Sequence, residues 1–168
     1  MTVDRKRPVL HLVCGMIGAG KTTLAKQIEQ DTGAIRFCPD EWLLALMQDV
    51  HDRAEMDRLR PAVEALQWSV ARSLLGAGVD VVLENGFWIR QERLDYCSQG
   101  KALGAEVRLY FLDLPRDELL RRVAARNEVT DARSLKITAA EIDHWSNRFE
   151  RPEGEEIDGY DRVEVRRE

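Results

Sequence analysis

No apolar run in the sequence approaches the length of a membrane span, so nothing in it calls for a lipid environment. Cysteine is scarce. Cys14, Cys38 and Cys97 are an odd number without metal-ligand spacing or a partner pattern for nucleophilic catalysis. Cys14 and Cys38 lie in apolar runs, where Cys behaves as a small hydrophobe. This usage fits a reducing cytosol, and a cytoplasmic location is expected. The start, Met1 to Arg7, is followed by too short an apolar run for a signal peptide. A basic excess is also missing: the net charge is −5 and the pI about 5.4. Polynucleotide binders usually carry a basic face, so this balance argues against nucleic acid as a partner while leaving room for a local basic patch. There is no internal repeat and no low-complexity segment. What remains is an ordinary globular composition over 168 residues, 44% hydrophobic and 33% charged. That is material for one domain, 1–168, with a sizeable core.

The most informative stretch is Gly15-Met16-Ile17-Gly18-Ala19-Gly20-Lys21-Thr22, which reads G-x-x-x-x-G-K-T, the Walker A phosphate loop. Glycines let the backbone turn tightly and aim successive N–H groups into an anion-sized hollow. Lys21 supplies a mobile charge for the β- and γ-phosphates, and the Thr22 hydroxyl can ligate Mg²⁺. A helix starting at the loop's end, through Thr22 and Thr23, adds its partly positive N-terminus. The flanks agree. Val9 to Cys14 is a nearly continuous apolar run, as a buried parallel strand should be, and Leu24 and Ile28 have helical spacing. The loop therefore binds a nucleoside triphosphate, with ATP and Mg²⁺ expected.

Further strands are expected at Ala34–Cys38, Val79–Leu83, Glu106–Leu112 and, as an edge, Tyr160–Val165. Between them, helical patterns run over 41–75, Arg90–Leu103 and Pro115–Arg126. Pro61 interrupts the apolar stripe of the first pattern, marking either a new helix or a kink. Asn127 to Ile137 is polar and reads as a loop, and Thr138-Ala139-Ala140-Glu141 is a capping box. Strands separated by helices imply an α/β fold, a parallel sheet with helices on both faces.

Ligands of such sheets sit beyond the carboxyl ends of the strands. Asp40 lies just past the second strand. It suits a base that orients a hydroxyl acceptor and takes its proton, or it caps the following helix. Glu84 ends the third strand. It can hold Mg²⁺ through water, or it is a solvated strand-end acid. Arg90 either forks onto an anionic acceptor or faces solvent. Trp88 is the best aromatic candidate to line an acceptor pocket, whereas Trp42, Trp68 and Trp145 read as core. Arg122 and Arg126 share a helix face, where guanidinium groups can stack on adenine or pair with phosphate, or can simply be solvated. His11 reads as structural, and His51 and His144 have no partner that suggests catalysis.

With these residues placed, the chain resembles the small P-loop kinases of the adenylate, shikimate and gluconate kinase type. Val82-Leu83-Glu84-Asn85-Gly86-Phe87 is similar to their Asp-Gly-Phe-Pro-Arg segment, with Glu84 for the Asp and an extra Asn85. Phe37-Cys38-Pro39-Asp40-Glu41-Trp42 resembles the base-bearing segment of chloramphenicol phosphotransferase and zeta-toxin-type kinases. The resemblance implies a three-layer P-loop NTPase fold, a five-stranded sheet of order 2-3-1-4-5 and a lid near 126–137. Arg122 would then cover the adenine and Arg126 would act from the lid.

The reading that follows is a phosphotransferase moving the γ-phosphate of ATP to a hydroxyl of a small molecule, such as a sugar or an antibiotic. Asp40, Trp42, Trp88, Arg90 and the helical region 41–75 would contact the acceptor. A polynucleotide 5′-hydroxyl kinase, a nucleoside or nucleotide kinase, and a non-enzymatic nucleotide switch are the alternatives. As an assembly, a monomer or homodimer is expected.

Overall fold

A computed structural model describes residues 7–129 and 136–168. β1 (Val9–Gly15) is buried along its whole length and sits at the centre of a five-stranded sheet. The other strands are β2 (Ile35–Phe37), β3 (Val81–Gly86), β4 (Glu106–Leu112) and β5 (Arg162–Arg166). The order is β2-β3-β1-β4-β5 and every pairing is parallel, as expected. Residue alternation along β1 divides the core in two. Leu10, Leu12 and Cys14 enter a cluster with Trp68, Ala71 and Leu75 of α3 (Arg53–Gly76) and Cys97 of α4 (Arg90–Ala102). Val13 faces the other way, towards Leu24, Ala25 and Ile28 of α1 (Lys21–Thr32) and Leu119 of α5 (Arg116–Val129). Helices thus cover both faces of the sheet.

Several boundaries differ from the sequence reading. The proline pattern at 39–41 does not merely end β2. Pro39 opens a helix, α2 (Pro39–Leu46), in which Cys38 is the N-cap residue. Pro61 neither starts nor splits a helix, because α3 is one helix with Pro61 inside it. The ring is on the exposed side, and the apolar stripe continues on the inner side from Met56 and Val63 to Trp68 and Leu75. β3 starts two residues later than expected and runs on through Glu84 and Asn85 to Gly86. α5 extends past Arg126 to Val129. The capping box forms as anticipated at α6 (Ala139–Ser146): the Thr138 hydroxyl accepts from Glu141 N–H and the Glu141 carboxylate accepts from Thr138 N–H. A short helix, α7 (Glu155–Asp158), occupies what reads as a turn. Half of the expected lid at 126–137, residues 130–135, lies outside the described residues. Among the described residues, no helix is long and apolar enough to cross a membrane.

Candidate active site

The phosphate loop joins β1 to α1. Gly18 and Gly20 have φ of 82° and 95°, backbone that side-chain-bearing residues rarely adopt. A methyl group at Gly18 would also lie 2.7 Å from Val123 Cγ2, so α5 presses against the back of the loop. Gly20 is the N-cap of α1 and offers no side-chain cap, which leaves the first-turn N–H groups to a ligand. The Met16 carbonyl takes the Ala19 N–H at 3.2 Å and the Lys21 ammonium at 2.9 Å. Burial pulls the Lys21 pKa down, while the charges of Asp40 and Glu84 work against that pull. Met16 and Ala19 are buried, Ile17 packs on Val123 and Ile142, and Thr22 and Thr23 are exposed. The cradle therefore fits a phosphate chain: it offers free N–H groups, one mobile cation and no side chain filling the hollow.

At the carboxyl end of β3, Glu84 is buried and ion-paired with Arg36 of β2. Arg36 also forks onto Glu41, 2.8 Å to each oxygen, and lies 3.5 Å from Glu29. Burial opposes the Arg36 charge, but the Glu41 and Glu84 carboxylates hold its pKa above the ordinary value. The Cys38 thiol hydrogen-bonds Glu84 as well, and burial together with that carboxylate pushes its pKa up to about 12. Cys38, Glu41 and Glu84 place ligand atoms within 4.8 Å of one another. A protonated thiol and a guanidinium among them make this an arginine-neutralised cluster. For a hard cation at the phosphate loop, the oxygen donors at hand are the exposed Thr22 hydroxyl and the Glu84 carboxylate.

Asp40 occupies the first turn of α2 and does not cap it. Its carboxylate is 66% exposed and accepts from Arg60 Nη2 of α3 at 2.6 Å. Arg60 Nη1 lies 3.5 Å from Glu64. Asp40 is thus an exposed carboxylate held by an arginine, in electrostatic reach of Lys21. The other acceptor candidates are placed differently. Trp42 packs against Phe37, ring centroids 6.1 Å apart. Trp88 donates its indole N–H to the Gly15 carbonyl at 3.1 Å and lies against Trp145, so it braces the start of the phosphate loop. The Arg90 guanidinium turns towards Glu156, at 3.8 Å.

On α5, Arg122 is half-buried between Glu118, at 2.5 Å, and the Ala19 carbonyl of the phosphate loop, at 3.5 Å. Arg126 is exposed in the last turn of the same helix. Glu118 also pairs with Arg121, and the two arginines bring its pKa down to about 2. His11 is buried with its Nδ1 2.9 Å from the Tyr110 hydroxyl, a structural role as expected.

Sequence reasoning missed Arg36, Arg60 and Arg93. Arg93 is fully buried, forks onto Glu156 at 2.5 and 2.9 Å, and donates to the carbonyls of Phe87 (2.9 Å) and Glu150 (2.8 Å). It thereby fixes the turn that carries Trp88, in which Phe87 holds a positive φ of 50°. Helical spacing was the available signal: Arg93, Cys97 and Gly100 form the buried stripe of α4.

Comparison with known proteins agrees with this geometry. A family model described as an AAA domain matches residues 10–152. No curated protein matches the chain. Among solved structures, a presumptive kinase from Chloroflexus aurantiacus J-10-fl is 16% identical, with 96% of this chain and 89% of that one covered and a TM-score of 0.72. A gluconokinase from Sinorhizobium meliloti 1021 is 15% identical, with 95% and 83% covered and a TM-score of 0.62. The PezAT toxin–antitoxin system of Streptococcus pneumoniae is 14% identical, with 95% and 68% covered and a TM-score of 0.68. The shared fold is that of P-loop NTPases, a five-stranded parallel sheet of order 2-3-1-4-5 covered by helices on both faces.

Proposed function

The chain belongs to the AAA domain family, and from that membership and the site geometry we propose that it is an ATP-dependent phosphotransferase acting on a hydroxyl of a small molecule. What supports the reading is that Asp40 lies in electrostatic reach of Lys21, a carboxylate in the field of a phosphate-binding cation, in the helix that follows the carboxyl end of β2 in a parallel sheet. The first-turn N–H groups of α1 and the Lys21 ammonium hold the β- and γ-phosphates. Asp40, steadied by Arg60, accepts the proton of the attacking hydroxyl as the oxygen bonds to the γ-phosphorus and ADP departs. Arg122 sits at the loop where it can cover the nucleotide, and Arg126 is carried at the end of the same helix, towards the expected lid. Trp88 keeps Gly15 in place, and Trp42 stiffens the base of α2. Mg²⁺, held at Thr22 and through water at Glu84, would neutralise charge on the transferring phosphate.

The test is an ATP-consumption screen over sugars, aminoglycosides, nucleosides and other hydroxyl compounds, with Lys21→Ala as the blank. The reading expects an acceptor that stimulates ADP release and is recovered as a phosphoester. ATP binding with no acceptor-dependent product across the screen, but with nucleotide-dependent capture of a protein partner, would favour a switch instead.

A further inference from the structure

Around Asp40 the carboxylates outnumber the cations that meet them. Arg60, Glu64 and Gln67 follow at spacings of four and three along α3, so one helix face carries all three. It adjoins the stripe that buries Met56, Val63 and Ala71. Arg60 is shared between two carboxylates, Asp40 at 2.6 Å and Glu64 at 3.5 Å. Glu92 is the third residue of α4, where it accepts the Ile89 N–H and feels the charge of Glu64. Tyr96, one turn along α4, feels both carboxylates, and its hydroxyl is hydrogen-bonded to the Asn85 side chain. The nearby Arg93 spends its N–H groups on Glu156, Phe87 and Glu150. Asp40 and Glu64 therefore share Arg60, and Glu92 sits in the field of Glu64 without a share of that guanidinium.

Unsatisfied amide atoms lie on the same two elements, α3 and the end of β3. Gln67 is 1% exposed, and neither its oxygen nor its nitrogen has a hydrogen-bond partner among the described residues. Asn85 Oδ1, at the carboxyl end of β3, is also buried and without a partner among them. A buried polar group left unsatisfied carries a desolvation cost that nothing repays. Glu92 adds to this, since burial and the neighbouring Glu64 raise its pKa to about 7. The fold carries these costs where an acceptor must enter, and a molecule bringing N–H, O–H and positive charge relieves them together.

Resting on the phosphotransfer reading, we propose that the acceptor is a cationic polyol: a small molecule with a protonated amine near the hydroxyl that receives phosphate, of the amino-sugar or aminocyclitol class. The ammonium group meets Glu64 and Glu92, neighbouring hydroxyls reach Gln67 and Asn85, and the reacting hydroxyl meets Asp40. A neutral sugar leaves Glu64 with its 3.5 Å contact to Arg60 and brings no cation to Glu92. An anionic acceptor is repelled by them and finds Arg60 already engaged.

Calorimetric binding to the full chain tests this with matched probes, glucosamine against glucose and 2-deoxystreptamine against scyllo-inositol. Phosphate transfer from ATP is followed for the same compounds. Each amine is expected to bind at least about tenfold more tightly than its neutral match. The preference should shrink in Glu64→Gln and in Glu92→Gln and vanish in the double variant. Amine affinity of the unmodified protein should also fall with added salt while neutral affinity does not, a readout that does not depend on the variants folding. Equal affinity for amine and neutral probes, no amine binding at millimolar concentration, or a preference that survives both substitutions overturns the inference. An amine that binds with this preference without being phosphorylated upholds the inference and defeats the kinase reading. A neutral sugar phosphorylated as efficiently as its amine upholds the kinase reading and defeats the inference.

Discussion

Replacing Arg93 by Met removes one partner of an ion pair in which both side chains are fully buried. Glu156 loses both charge-assisted hydrogen bonds and keeps only the more distant Arg90, at 3.8 Å, while the carbonyls of Phe87 and Glu150 each lose a donor. Breaking a buried pair from one side costs about 3–5 kcal/mol, because the remaining charge must be desolvated alone or protonated. For a domain whose whole stability is on the order of 5–15 kcal/mol, this is a severe loss. It should reach the active site as well. Arg93 Nη1 holds the Phe87 carbonyl, Phe87 sits in a costly left-handed conformation, and the next residue, Trp88, braces Gly15. Urea unfolding of Arg93→Met should therefore show a much lower midpoint with little change in slope, and ATP affinity should fall with it. The double variant Arg93→Met/Glu156→Leu should recover a large part of the stability, since apolar groups of similar volume can replace a buried pair. A loss below about 1 kcal/mol in the single variant, or a double variant as unstable as the single losses combined, refutes the reasoning.

Other consequences are as direct. Glu92 has a folded pKa of about 7 against an ordinary 4.5. The native state therefore binds its proton more tightly than the unfolded chain, and stability falls as pH rises from 4.5 through 7, by up to about 3 kcal/mol. Glu92→Gln should flatten this part of the pH–stability curve in thermal melts and be the more stable protein at alkaline pH; an unchanged curve contradicts the burial argument. Gly18→Ala drives a methyl into Val123 at a φ of 82°, so nucleotide affinity measured by titration should fall at least about tenfold. Val123→Ala added to it should restore only the part due to the clash. The Cys38 thiol, with its pKa pushed up to about 12, should be alkylated far more slowly at neutral pH than a free thiol, as mass spectrometry can follow.

The phosphate loop was legible because its chemistry is local: strand, glycines, Lys21 and helix are contiguous in the chain. The sheet order followed from the family resemblance and holds in the structure. The apolar stripes named α3 and α5, but Pro61 hid the continuity of α3. A proline on an exposed helix face costs a backbone hydrogen bond, and the long buried stripe on the other side offsets that loss. Glu84 and Asn85 looked like the end of β3 because polar residues rarely continue a buried strand. Arg36, from β2, neutralises Glu84 and lets the strand go on. Asp40 looked equally like a cap or a base, and the position of Pro39 at the start of α2 removes the cap. The pairings of the arginines were harder to read than their placement on a helix face. Their partners lie far along the chain, 36 with 84, 60 with 40 and 93 with 156, and spacing within one helix or strand carries no record of them.

The central claim is that Asp40 is the base of a phosphotransfer site. With an acceptor in hand from the screen, the kinetics of Asp40→Asn measure it most directly. Asparagine keeps the size of the side chain but cannot take the proton. The account predicts a fall in kcat of about 10²–10⁴ with ATP affinity little changed. Acceptor phosphorylation by Asp40→Asn at the unmodified rate would contradict it.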